Sequence, residues 1–195
     1  MKVDVPFIPQ EGGFDCGPTM LRIANEWADK DVSYGKVKEL LEWEPGNAIA
    51  TAQLCLVADT LGFEATLHTA ESEFEDNMYE EEEYYQEHGD MEGAKKAFRE
   101  LERRDDLYED HVLTTEEIKN RLEAELVIAL LNWEETRSGD GYTGHFVIIT
   151  GVENQTVYVH QVGADPQPDM PLDRSVFEEA RHDDRTDQDT LCLKP

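Results

Sequence analysis

Hydrophobic positions alternate at the start of the chain and then take a helical spacing. Val3, Val5 and Phe7 alternate along an extended segment that Pro6 and Pro9 keep out of a helix. Gly12-Gly13 makes a loop. In DCGPTMLRIANEWADK, Met20, Ile23, Ala24 and Trp27 fall on one helical face, with Pro18 suited to the first turn. Ser33 can cap a short helix carrying Val37, Leu40 and Leu41, which Pro45-Gly46 breaks. Asn47 is the expected cap of a third helix, AIATAQLCLVADTLG, closed by Gly62, and FEATLH reads as a strand.

Residues 71–111 are charged and helix-prone, with a sparse stripe through Phe74, Met78, Ala94, Phe98 and Leu101. They read as one or two surface helices inserted into the domain. Thr114 with Glu117 forms a capping box for a helix through Leu122. Strand signals then dominate in ELVIALLNW, HFVIITGV and QTVYVHQV. Asp173 can cap a last helix, RSVFEEA, and TLCLKP can add an edge strand. No internal repeat and no Gly/Ser linker divides the chain, so residues 1–195 read as one domain. Helices first and antiparallel strands second is an α+β layout.

Charge narrows the partners. The 195 residues carry 45 acidic and 17 basic side chains, a net of −28, which repels nucleic acid and anionic membrane surfaces. Acid is densest in 71–111, with 17 acidic against 5 basic residues, yet it extends along the whole chain. A solvated acidic surface of the kind that works in concentrated salt, a halophilic trait, explains this more simply than a docking face for a basic partner. No apolar run approaches the ~20 residues of a membrane span. Asp4 interrupts the segment where a signal peptide needs apolar residues, so a cytoplasmic location is expected. Cys16, Cys55 and Cys192 are too scattered for a disulfide framework or a CxxC metal site. Glu80–Glu83 with His88 lack a second His or Cys at ligand spacing and read as a solvated helix face. No metal or other cofactor is expected.

Cys16 is the sharpest chemical feature. It directly precedes Gly17-Pro18 and a helical pattern, which puts its sulfur at a helix N-terminus, where unsatisfied N–H groups and the macrodipole favour a thiolate. A nucleophilic thiol needs a base, and His145 is the best placed of six histidines, opening HFVIITGV after the flexible SGDGYTG. Gln10, six residues before Cys16, can donate its amide to an oxyanion beside the Cys16 N–H. The Cys-to-His separation is close to that of papain-like thiol enzymes. Cys55, among Leu54, Leu56 and Val57, and Cys192, in TLCL, read as core. Asp15 reads as a helix cap, and His160, alternating with Tyr158, as structural.

VPFIPQEGGFDCGPTML, GHFVIITGV and TVYVHQVG together resemble the blocks of the bacteriocin-processing (double-glycine leader) peptidase-like family, within the papain-like cysteine peptidase superfamily. The resemblance covers about residues 3–62 and 126–180 and implies a papain-like α+β fold, with N-terminal helices packed on a C-terminal antiparallel sheet. By position it implies Cys16 as nucleophile, His145 as general base and acid, and Gln10 as oxyanion donor. The family's Asp falls on Gln161, followed by Val162 rather than Pro. A glutamine carbonyl can still accept the imidazole N–H, without stabilising an imidazolium as a carboxylate does. Asp165, in the following turn, is the alternative third member.

The reading that follows is a stand-alone thiol hydrolase that cuts a peptide or isopeptide bond of a peptide or protein substrate through an acyl-enzyme on Cys16. No P-loop GxxxxGK[ST] accompanies it. An acyltransferase is a close variant. A peptidase-like binding module with weak or no catalysis is the alternative, favoured by Gln161 and opposed by the joint presence of Cys16, His145 and Gln10. A third reading gives the acidic 71–111 segment a basic partner.

Overall fold

The computed structural model describes residues 2–70, 82–137 and 139–195. Its N-terminal segment lies along a sheet, with Val3 N–H donating to Thr150 O (2.8 Å) and Gln10 N–H to Val162 O (2.9 Å). Helix α1 (Cys16–Trp27) buries Met20, Leu21, Ile23 and Ala24, the face its 3.6-residue spacing marks. Helix α2 (Tyr34–Leu40) starts at Ser33, whose side chain accepts from Lys36 N–H. Helix α3 (Thr51–Thr60) is followed by Gly62 at φ +80. Its start departs from the expected cap. Ala50, not Asn47, is the N-cap, because Ala48 is drawn into a parallel bridge with Gly89. Gln53 Oε1 accepts the Ala50 N–H instead (3.0 Å).

Among the described residues, seven strands make one sheet: β1 (Glu64–Thr69), β2 (Tyr108–Asp110), β3 (Leu126–Asn132), β4 (Gly144–Glu153), β5 (Thr156–Gln161), β6 (Gln167–Asp173) and β7 (Thr190–Lys194). Their order is β2-β1-β7-β3-β4-β5-β6. All neighbours are antiparallel except β1 and β2. Strand β7 is therefore central, not the edge strand its terminal position led us to expect. Leu191 and Leu193 join one core and Cys192 the other, and a strand buried on both faces belongs inside a sheet. Strand β6 was not anticipated. Pro168 and Pro171 cannot donate to a ladder and most of its residues are exposed, which an edge strand tolerates.

Helices cover both faces. Phe146, Ile148, Ile128 and Leu130 share a core with α1, α2 and α3. On the opposite face Val147, Ile149, Val127 and Ala129 pack with α6 (Thr115–Arg121) and α7 (Arg174–Arg181), through Ile118, Phe177 and Ala180. The predicted Thr114/Glu117 capping box starts α6. Within the acidic segment lie α4 (Glu83–His88), α5 (Met91–Leu101) and β2. These elements are more than surface helices: Ala94, Ala97, Phe98 and Leu101 of α5 are buried against α3, and β2 extends the sheet. Phe74 and Met78 of the expected stripe lie outside the described residues. Cys55 and Cys192 are core. Among the described residues, no helix is long and apolar enough to cross a membrane.

Candidate active site

The first turn of α1 presents Cys16, partly exposed, behind a tight approach in which Phe14 takes φ +63. Asp15 occupies the N-cap position without capping. Its buried carboxylate turns to Lys38 Nζ (3.4 Å) and the Tyr34 hydroxyl (3.3 Å), because a buried charge is better compensated by an ammonium than by a peptide N–H. The Cys16 sulfur lies against β4, where the Phe146 backbone N–H points at it, one residue beyond His145.

His145 opens β4 and is buried. Its Nε2 bonds Gln161 Oε1, at the end of β5, over 3.1 Å. The Gln161 amide has one sensible orientation. Gly163 N–H meets its oxygen and Ala164 O meets its nitrogen, so the atom facing the imidazole is an acceptor. Nε2 therefore carries the imidazole proton and Nδ1 is left with a lone pair. The Trp133 ring packs on the imidazole with centroids 5.0 Å apart. Gly163 closes the other side: a Cβ there would lie 2.9 Å from His145 Cε1.

Cys16, His145, Gln10 and Gln161 all line one cleft of about 250 Å³. Gln10 donates one Nε2–H to Gly12 O (2.7 Å), and its buried Oε1 has no partner among the described residues. Asp165 is exposed in a left-handed turn, and the imidazole's hydrogen bond goes to Gln161. His160 is buried apart from the cleft, donating from Nε2 to Val5 O (3.0 Å) and accepting Asp169 N–H at Nδ1 (3.1 Å). Among the described residues no group of three or more His, Cys, Asp or Glu is disposed to hold a metal ion.

Burial controls the electrostatics. It pushes the Cys16 thiol up, helped by the Asp15 charge and opposed by the Phe146, Gly17 and Cys16 backbone N–H groups. It pulls His145 down to about 4, with the Arg137 charge adding to the effect and the Gln161 hydrogen bond opposing it. Both shifts favour a neutral thiol and a neutral imidazole over the ion pair. Burial thus opposes the thiolate that the N–H groups of the helix N-terminus favour.

Sequence reasoning missed several cleft residues. Trp133 was legible only as the end of a strand pattern. Phe14, Thr143, Glu134 and Tyr84 also line the cleft. Tyr84 comes from α4, and nothing in EEEEYYQ signals that role; burial and then the closeness of Cys16 hold its phenol well above its ordinary range.

Three solved structures share the fold. A double-glycine-motif protease from an AMS/PCAT transporter, solved with its leader peptide, aligns with TM-score 0.57 at 14% identity, covering 100% of this chain and 94% of that one. The peptidase domain of Streptococcus ComA, a bifunctional ABC transporter, aligns at 0.54 and 14% identity, covering 96% of each. A C39-like peptidase from Bacillus anthracis aligns at 0.59 and 15% identity, covering 100% and 98%. No curated protein matches the chain. The Peptidase_C39 like family matches residues 5–183, nearly the whole sequence, and the chain belongs to that family.

Proposed function

We propose that this peptidase-like protein is a cysteine peptidase acting through Cys16. The observation that carries the reading is the cleft that Cys16 and a Gln161-oriented His145 both line, the imidazole offering an unprotonated Nδ1. Nδ1 takes the thiol proton as Sγ attacks the carbonyl carbon of a peptide or isopeptide bond. The oxyanion is held by the Cys16 N–H and by the second amide hydrogen of Gln10. The imidazolium returns its proton to the leaving nitrogen as the C–N bond breaks, leaving a thioester. Water attacks that thioester, giving a proton to Nδ1. The C–S bond breaks, the acid leaves and the proton returns to Sγ.

The substrate on this reading is a peptide or protein segment. The chain acts as one domain, residues 1–195, with the acidic segment 71–111 inserted between β1 and α6. Unpaired thiols fit a reducing cytoplasm, and the net charge of −28 fits work in concentrated salt.

The test needs no knowledge of the substrate. p-Nitrophenyl acetate is offered to the protein and to Cys16→Ala and His145→Ala, with acetylation followed by intact mass. The expected result is one acetyl group on Cys16, absent from Cys16→Ala, discharged in the wild type at least ~100-fold faster than in His145→Ala. An acetyl group equally long-lived in both would remove the hydrolase reading and leave a peptidase-like binding module.

A further inference from the structure

Helix α4 touches the chain just before both reactive residues. On the Cys16 side, the Phe14 ring packs on His88 (centroids 4.8 Å apart, 37° between planes) and on Tyr84 (6.3 Å). Phe14 stands two residues before Cys16 with φ +63, a left-handed conformation unfavourable to a bulky side chain that persists only where its surroundings enforce it. The two aromatic contacts supply that enforcement. On the His145 side, the Tyr84 hydroxyl donates to Gly144 O (3.4 Å), and Gly144 immediately precedes His145. Tyr85 and Tyr142 share a hydroxyl–hydroxyl bond of 2.7 Å across the same residue. A Cβ on Gly144 would lie 2.5 Å from the Tyr85 hydroxyl, so this packing admits only glycine there.

The helix is itself anchored. Ala48 N–H donates to His88 O (2.6 Å) and Asp90 N–H to Ala48 O (2.9 Å), which ties its C-terminal end to the approach of α3. Tyr84 also meets Tyr85 (5.2 Å), Tyr142 (5.7 Å) and His88 (5.5 Å) edge-on. One aromatic side chain thus joins the strand bearing the imidazole to the loop leading to the thiol, from a helix whose backbone is tied to the approach of α3.

We infer that α4 is a strut that fixes the separation of Cys16 and His145, with Tyr84 as its positioning residue, bearing on Phe14 through its ring and on Gly144 through its hydroxyl. The inference rests on the thiol-hydrolase reading and adds to it a role for one helix of the acidic segment: α4 completes the geometry of the reacting pair. Tyr84 has no proton to transfer in this scheme. Its effect reaches the reaction only through the placement of Nδ1 against the acyl-thioester.

The test uses the same discharge of acetyl-Cys16, with Tyr84→Phe and Tyr84→Ala beside the wild type and His145→Ala, below the melting temperature of every variant. Tyr84→Phe keeps the ring contacts and loses a long hydrogen bond, so its discharge should slow about 5-fold. Tyr84→Ala loses both supports and should slow about 100-fold, the scale of an ångström-sized misplacement. Phe14→Ala, which removes the other half of the stack, should fall between them. The acid limb of the discharge rate should stay where it is in Tyr84→Phe, because the imidazole's surroundings are unchanged. A folded Tyr84→Ala that discharges at the wild-type rate, while His145→Ala remains slow, overturns the strut and leaves the hydrolase reading standing. Slow discharge by the wild type itself overturns both.

Discussion

Replacing Gln161 with glutamate keeps the side chain's length and puts a charge where a neutral carbonyl now sits. At the observed 3.1 Å between His145 Nε2 and Gln161 Oε1, a full negative charge favours the imidazolium by about 5 kcal/mol at an effective dielectric constant of ~20. Two effects oppose it. The carboxylate loses the N–H that meets Ala164 O, setting oxygen against oxygen, and it bears its own desolvation. Halving the Coulomb figure for these leaves roughly 2.7 kcal/mol, a hundredfold in proton affinity. His145, now held down at about 4, should then titrate near ~6. Imidazole proton resonances followed by NMR from about pH 3.5 to 8, with His145→Ala for assignment, measure this directly. The catalytic consequence has an unusual sign. Nδ1 acts as base only while the ring is neutral, so the added carboxylate should slow acetyl-Cys16 discharge at about pH 5 and leave it nearly unchanged at about pH 8. A wild-type His145 that titrates near ~6.5, or a titration that Gln161→Glu does not move, refutes the reasoning.

Gly163→Ala places a methyl group 2.9 Å from His145 Cε1 and 3.2 Å from Gln161 Oε1; discharge should fall about 100-fold while the melting curve hardly changes, and an unaltered rate would contradict the packing. Asp189 is raised from 3.8 to about 6 by burial, with the Thr51 and Thr69 hydroxyls opposing. A raised carboxyl contributes stability below its unfolded value that is lost as pH rises through about 6. Asp189→Asn should therefore gain up to about 3 kcal/mol in urea unfolding near neutral pH and nothing near pH 4, and an equal gain at both would refute this. Burial lowers His68, His145 and His182, so the folded protein binds fewer of these protons than the unfolded chain. Their contribution is complete above ~6.5 and is lost as pH falls toward about 4, the folded value of His145. His68→Leu, at a fully buried site where the Glu109 carboxylate lies 3.5 Å from Nδ1, should flatten that decline in urea midpoints, and parallel curves would count against it.

Local rules carried the sequence reading where they acted alone. The Ser33 cap, the Thr114/Glu117 box and the Gly62 stop depend on residues within one turn, and each occurs. Strands β3 and β4 announced themselves as unbroken apolar runs because both of their faces are covered. Failures came where distant contacts decide. Asn47 lost its cap because Gly89 pairs with Ala48, and Asp15 turned from its helix toward Lys38. Neither partner is near in sequence. Strand β7 has five residues whose pattern fits an edge or a centre equally, and only the return of β1 beside it settles which. At the site, Cys16, His145 and Gln10 could be named from order and spacing, and Gln161 only from the family resemblance; one cleft holds all four. Tyr84 could not, since a tyrosine amid glutamates carries no periodic signal, and its role exists only once α4 packs beneath Gly144.

The substitution that most weakened the catalytic reading of the sequence agrees with the electrostatics of the cleft. A carboxylate partner is needed when the resting base must share an ion pair with a thiolate, because it offsets the burial of an imidazolium. Here burial drives the thiol up and the imidazole down, and no charge needs to be offset at rest. What the imidazole requires is a fixed tautomer, which a neutral acceptor supplies as well as a charged one, provided its own amide is locked; Gly163 and Ala164 lock it. The proton must then leave sulfur as the carbon–sulfur bond forms, with the imidazolium charge lasting only as long as the tetrahedral species. Such a site should respond unequally to two reagents. Iodoacetamide, which consumes thiolate, should label Cys16 more slowly at neutral pH than an ordinary free thiol, whereas p-nitrophenyl acetate, whose carbonyl engages the oxyanion donors and the base together, should acylate it readily. Fast alkylation below pH ~7 would mean that the resting pair is ionic, and Gln161 would then have no electrostatic justification at that position.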